Sequence, residues 1–164
     1  MFQCSVVTAP QLADEITPLL IAAEFWKYKS LYEMSNEEWE ALCDGCGKCC
    51  ICKLQDEETG AIALTNVACK LLDIERCTCT DYANRAKKVP ECLVLTPAKV
   101  KQVSWLPSTC AYRLVDQGKD LPDWHPLLTA IPDSAIDAGH SMSGRLLSEA
   151  EIDDLVDHIV DWRL

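Results

Sequence analysis

The sequence predicts a mainly α-helical single domain with irregular loops and at most a small sheet. Three observations carry that expectation. Apolar residues recur at helical spacing behind two capping boxes, Ser35 with Glu38 and Ser148 with Glu151. Strand-like alternation is confined to a short segment, Ile62 to Val67. Eight of the 11 cysteines crowd between Cys43 and Cys79, where Gly45 and Gly47 interrupt regular structure. At 164 residues, 49% of them hydrophobic, the chain suits one domain with a core of its own.

Residues 1 to 18 end in Thr17-Pro18 and carry little periodicity, so they are expected to form a loose N-terminal leader, with residues 19 to 164 as the cysteine-cluster domain. Leu19 to Trp26 is nearly continuously apolar and is followed by Tyr28, Leu31 and Tyr32, which suits a buried helix or an interaction segment. The Ser35 box opens a short helix through Trp39 and Leu42 that runs into Cys43. Gln55 to Gly60 reads as a polar turn before the Ile62 to Val67 strand. Thr96-Pro97 is an N-cap and first helical residue, with Val100, Val103 and Leu106 on one face until Pro107, and Ser108 can cap a second helix ending near Gly118. Three prolines make Leu121 to Pro132 an extended segment. Ile152, Leu155, Val156, Ile159 and Val160 form an apolar stripe that predicts a helix to the C-terminus.

Charge and motif content narrow the function. With 15 basic against 26 acidic residues, a formal net charge of -11, the chain repels nucleic-acid phosphates and anionic membranes. The densest basic stretch, Arg85-Ala86-Lys87-Lys88 with Lys99 and Lys101, is short and reads as a solvated face. No apolar run approaches the roughly 20 residues of a membrane-spanning helix, and the first residues lack the features of an export signal. The expected setting is therefore the cytoplasm, with a protein or small molecule as partner and neither nucleic acid nor membrane. There is no phosphate-binding glycine loop, nucleophile elbow or metalloprotease helix, so no catalytic activity is assigned.

In a reducing compartment, thiols at this density point to metal coordination or redox chemistry, and the repeated two-residue gaps favour metal. Cys43, Cys46 and Cys49 make a three-point claw, because thiolates two residues apart can face one ion through a single turn. The tight turns at Gly45 and Gly47 suit a metal knuckle whose backbone N–H groups approach sulfur, although the same glycines suit ordinary turns. Side chains diverge on an extended backbone, so Cys50 is expected to serve a second metal, serve a cluster edge or stay free. Cys52 continues the stepping. Cys69, Cys77, Cys79 and Cys92 add enough donors for two four-coordinate sites, or for one site with reserve thiols. Soft thiolates exclude calcium and magnesium and leave zinc and iron, including an iron–sulfur cluster, both open. The irregular loops are thus expected to be metal-organised. The function classes this admits are a metal-binding protein, an iron–sulfur enzyme or electron-transfer protein, and a metal-handling or thiol-redox protein.

Arg85 and Tyr82 are the candidate cofactor contacts beside the cysteines, with Arg85 able to hydrogen-bond cluster sulfur and Tyr82 packing around the site. Cys110 lies in a predicted helix and reads as a small buried apolar residue. His125, between Trp124 and Pro126, reads as a packed, hydrogen-bonded residue rather than a ligand, and Cys4, His140 and His158 have no partners in view.

The run Cys43-x2-Cys46-Gly47-x-Cys49-Cys50, followed by Cys69, by Cys79-x2-Tyr82-x2-Arg85 and by Cys92, resembles the YkgJ-like cysteine-cluster family, a zinc- or iron-chelating domain. Thr109-Cys110-Ala111-Tyr112-Arg113-Leu114 and Leu121-Pro122-Asp123-Trp124-His125-Pro126-Leu127 look like its YcgN-type branch, so the resemblance runs from about Phe25 to Trp162. It implies Cys43, Cys46, Cys49, Cys50, Cys69, Cys79 and Cys92 as ligands, with Cys77 beside them. A related cluster in flagellin lysine methylases implies an iron–sulfur centre. Two departures are a longer gap between Arg85 and Cys92 and an alanine, Ala86, where the family has proline.

Overall fold

The computed structural model describes residues 24–162. The expected leader and most of the apolar Leu19 to Trp26 segment lie outside them. The mainly α expectation is overturned. Among the described residues the longest helices have six residues, and a four-stranded sheet with a second, two-stranded sheet organises the chain.

Helix α1 (Asn36–Ala41) starts at the expected capping box: the Ser35 hydroxyl accepts from the Glu38 N–H, and the Glu38 carboxylate accepts from the Ser35 N–H at 2.8 Å. Strand β1 (Ile51–Gln55) leaves the cysteine run and turns through Asp56 to Gly60 into β2 (Ile62–Ala68), the segment expected as a strand. The two pair antiparallel, with a register shift between Ile51 and Lys53 that bulges the chain at Cys52. Strands β3 (Leu72–Asp73) and β4 (Thr78–Cys79) form a second, tiny hairpin. Four short helices come next: α2 (Arg85–Lys88), α3 (Pro97–Val100), α4 (Ala111–Asp116) and α5 (Pro126–Thr129). Thr96 caps α3 as expected. Cys110, rather than Ser108, takes the N-cap position of α4, and α5 interrupts the segment expected to be extended, with Pro126 at its first turn. Helix α6 (Ser134–Asp137) then leads to β5 (Leu147–Ser148), parallel to the end of β2, and to β6 (Ile159–Val160), antiparallel to its first half.

The expected C-terminal helix is absent although its capping box forms. The box closes only a 3-10 turn, Glu149–Glu151, after which Ile152 is extended at φ -121. Two competing preferences explain this. Asp154 bonds the Val156 N–H at 2.9 Å, a local turn that replaces helical pairing. The β-branched Ile159 and Val160 find partners across β2, Ile159 opposite Thr65 and Val160 opposite Leu64.

Two small cores result. One gathers Phe25, Trp26, Leu42, Leu106, Tyr112 and Val115 with their neighbours. The other gathers Ile51, Ala68, Leu72, Cys77, Met142 and Leu146. His125 is fully buried: its Nδ1 accepts the Leu127 N–H at 3.1 Å, so its proton sits on Nε2 and is donated to the Leu42 carbonyl at 3.1 Å. Both nitrogens are spent on backbone, which makes His125 a clamp on the residue preceding Cys43. Among the described residues no helix is long and apolar enough to cross a membrane.

Candidate metal centre

The cysteines meet between the two cores. A cavity of about 410 Å³ is lined by residues of the first core (Leu42, Leu106, Tyr112), by residues of the second (Leu72, Cys77), and by nine thiols in all. Local folding explains how each thiol arrives. Cys43 follows the end of α1, and Cys46 and Cys49 step around the turns at Gly45 and Gly47, both at positive φ. Pairing of β1 with β2 brings the Cys69 N–H to the Cys50 carbonyl at 2.9 Å. The β3–β4 hairpin, fastened by the Thr80 N–H to the Leu71 carbonyl at 2.8 Å, returns Cys77 and Cys79 to the same wall. Cys92 comes from the loop after α2 and Cys110 from the N-cap of α4.

All eight cysteines expected as ligands therefore line one space, and Cys52, in β1, does not. Cys110 is a ninth lining thiol that sequence reasoning set aside. Its backbone surroundings match those of the claw. The backbone N–H of Gly45 favours the Cys43 thiolate and that of Lys48 the Cys46 thiolate, just as those of Tyr112 and Arg113 favour the Cys110 thiolate. These are the N–H to sulfur contacts that stabilise thiolate ligands. A cysteine three residues past Pro107 and two past Ser108, at a helix start instead of in its interior, was the available signal.

The expectation that Cys50 diverges from Cys49 is corrected. Lys48–Cys50 is a 3-10 turn, not extended chain, and the Cys49 and Cys50 sulfurs lie 3.8 Å apart. A tetrahedral metal with bonds of about 2.3 Å spans about 3.8 Å from sulfur to sulfur, so this pair already has the spacing of one coordination edge. Lys53, also unforeseen, holds the turn: its ammonium donates to the Lys48, Cys49 and Ile51 carbonyls and lies 4.1 Å from the Trp105 ring. Gly47 is the one glycine of the run that packing demands. At φ +74, an added Cβ would sit 2.8 Å from the Cys77 sulfur, whereas Gly45 has open space around it. Tyr82 and Arg85 stand on the same cavity wall, the Tyr82 hydroxyl bonded to Glu40 at 2.7 Å and the Arg85 guanidinium stacked 3.5 Å over the Tyr82 ring.

Among the described residues no three His, Cys, Asp or Glu side chains close on a single point. The thiols line a space, and ligation of one ion by several of them would require them to draw together. As donors they fit zinc or iron: soft, numerous and served by N–H groups.

Six of the cavity thiols, Cys43, Cys46, Cys49, Cys77, Cys92 and Cys110, are pushed toward the protonated form in the metal-free fold. Cys43 and Cys49 open onto the cavity yet are enclosed by protein on their other sides. Desolvation, reinforced by Cys49, pushes Cys43 up to about 12. Desolvation also raises Cys46, Cys77, Cys92 and Cys110, while the bond to Cys50 and then burial raise Cys49. The stability these thiols lend the metal-free fold is complete below about pH 8.5, where an unfolded thiol begins to ionise, and is lost as pH rises toward the folded value of Cys43. Metal uptake through these thiols would have the opposite sign, since ligation needs thiolates. Titration with zinc is expected to release about one proton per ligating thiol and to tighten from about pH 6 to 8, seen by calorimetry in buffers of differing ionisation enthalpy. Uptake without proton release would contradict thiol ligation.

Comparison with known proteins agrees with this geometry. The family described as "CxxCxxCC: Putative zinc- or iron-chelating domain" matches residues 42–111, a span from just before Cys43 to just past Cys110. A UPF0260 protein of Granulibacter bethesdensis is 55% identical over 141 residues, 86% of this chain and 85% of the relative. UPF0260 proteins of Rhizorhabdus wittichii and Cellvibrio japonicus are each 56% identical over 140 residues, covering 85% and 84% of this chain and 96% and 95% of theirs. No solved structure matches the chain. With a zinc- or iron-chelating domain across its thiol cavity and relatives of this identity along most of its length, the chain belongs to the UPF0260 family and is a metal-binding protein.

Proposed function

We propose that the protein holds zinc or iron through its cysteines, in a centre of more than one metal ion, within the reducing cytoplasm. The observation that carries this reading is the gathering of nine thiols from five separate stretches of chain onto one cavity. A single tetrahedral ion takes four. Two ions, or an iron–sulfur cluster with further thiols in reserve, use the set more fully.

The test is a panel of single Cys→Ser variants of the full chain with metal counted per protein. Cys46→Ser, Cys49→Ser, Cys69→Ser and Cys79→Ser are each expected to lose at least about one metal equivalent. Cys110→Ser is expected to behave with them, and Cys52→Ser like the wild type. Unchanged metal content across the cavity variants would overturn the reading.

An iron–sulfur enzyme or electron-transfer protein is the second reading, and the shape of the cavity favours it. The thiols occupy only part of the wall; Trp39, Leu93, Leu95, Leu106 and Tyr112 form an apolar remainder, where an organic molecule can lie beside the centre.

A further inference from the structure

Asp44 stands between the first two cysteines of the claw and is 8% exposed. One carboxylate oxygen, Oδ1, accepts the Cys46 N–H at 3.1 Å. The other, Oδ2, is buried and has no hydrogen-bond partner. Burying a carboxylate oxygen without a donor is costly, and such an oxygen in a folded protein needs an explanation.

Apart from the Cys46 thiol, whose proton leaves when that sulfur binds metal, the charged and polar groups of the site are committed elsewhere. His125, whose ring feels the Asp44 charge, gives its single proton to the Leu42 carbonyl. The Lys53 ammonium is engaged by three backbone carbonyls, and Arg85 by the Tyr82 carbonyl and ring. What does surround the carboxylate is sulfur: Asp44 lines the thiol cavity, and its charge bears on Cys46, Cys49 and Cys110. A cation among these sulfurs would give the unpartnered carboxylate oxygen the partner it lacks. Zinc and iron both accept carboxylate oxygen alongside thiolate.

We propose that Asp44 is an oxygen ligand of the metal centre, so that one ion of the centre has mixed thiolate and carboxylate coordination. This rests on the cysteine-ligated centre described above. The assignment gives the non-cysteine position between Cys43 and Cys46 a chemical role: it sets one ion apart from those held by sulfur alone.

Asp44→Asn keeps an acceptor for the Cys46 N–H and removes the anionic ligand. The wild-type full chain, with the metal it carries on purification, is expected to show an oxygen shell at about 2.0–2.2 Å beside sulfur in X-ray absorption at the zinc or iron edge. Asp44→Asn is expected to lose that shell and to bind the same metal about 10- to 100-fold more weakly against a competing chelator. The metal-free variant is expected to melt higher than metal-free wild type, because a buried carboxylate oxygen without a strong donor is replaced by a neutral amide. That split of weaker binding with a more stable apo fold is not produced by a residue that merely supports the turn. A sulfur-only shell in the wild type overturns the proposal. So does an oxygen shell that persists in Asp44→Asn, which would assign the oxygen to water and leave Asp44 as a positioning residue for Cys46. A wild-type chain retaining no metal overturns both this assignment and the reading beneath it.

Discussion

Stripping the metal from the purified protein is expected to lower its melting temperature by more than about 10 °C and to release the cysteine segments selectively. The fold explains why. Among the described residues the buried apolar side chains form two small, separate clusters, with the thiol cavity lined from both. Among the described residues the helices reach only six residues, too short to persist alone, and the β3–β4 hairpin has two residues in each strand. Structural metal contributes about 10–16 kcal/mol in small thiolate sites, against about 5–15 kcal/mol for the stability of a whole domain. A metal term of that size sets how firmly segments 43–50 and 69–92 are held in the folded chain. Amide hydrogen exchange should therefore show those segments deprotected in the apo protein while α4, anchored by Tyr112 and Val115 in the first core, keeps its protection. Equal melting and equal exchange with and without metal would contradict the account.

Gly47→Ala should be the most damaging single substitution outside the cysteines. Alanine at φ +74 meets the left-handed penalty of about 1–2 kcal/mol. Its Cβ would also lie 2.8 Å from the sulfur of Cys77, which is buried and itself at a positive φ of 52, so the neighbour has little freedom to withdraw. Together these effects predict a loss of about 2–4 kcal/mol in chemical denaturation of the metal-loaded protein, with weaker metal retention because Cys46, Cys49 and Cys77 are displaced together. Gly45→Ala tests the cause: it shares the φ penalty but meets nothing within 4 Å, and should cost about 1–2 kcal/mol. Equal effects at the two positions would remove the packing argument.

What was legible in the sequence was mostly local. The Ser35 box, the Thr96 cap and the β2 strand depend on short-range bonding and alternation, and all three stand. The Ser148 box shows the limit of such signals. Its two bonds form, yet they specify only a turn, and tertiary pairing of Ile159 and Val160 with β2 sets the path of the chain beyond it. A stripe of β-branched residues at helical spacing serves an edge strand equally well, and only the presence of β2 as a partner chooses between them.

The same limit governs the site. Spacing alone identified the claw, but the proximity of Cys69 to Cys50 depends on hairpin register, and that of Cys49 to Cys50 on a 3-10 turn that spacing does not announce. Cys110 packs against the first core as a small apolar residue is expected to, but it stands at the N-cap of α4 rather than in a helix interior, which also turns it to the cavity. Lys53 and Asp44 have no sequence signature. Their roles come from burial beside a centre whose position is set by the fold.

The central claim is that the nine thiols exist to hold metal. Its most direct test is anaerobic purification of the full chain from iron- and zinc-replete cells, with elemental analysis, sulfide determination and a visible spectrum on one sample. The account predicts more than one equivalent of zinc, or of iron, per chain. A brown sample with acid-labile sulfide would select the cluster form, and a colourless one with zinc the structural form. A folded chain that retains neither metal would contradict it.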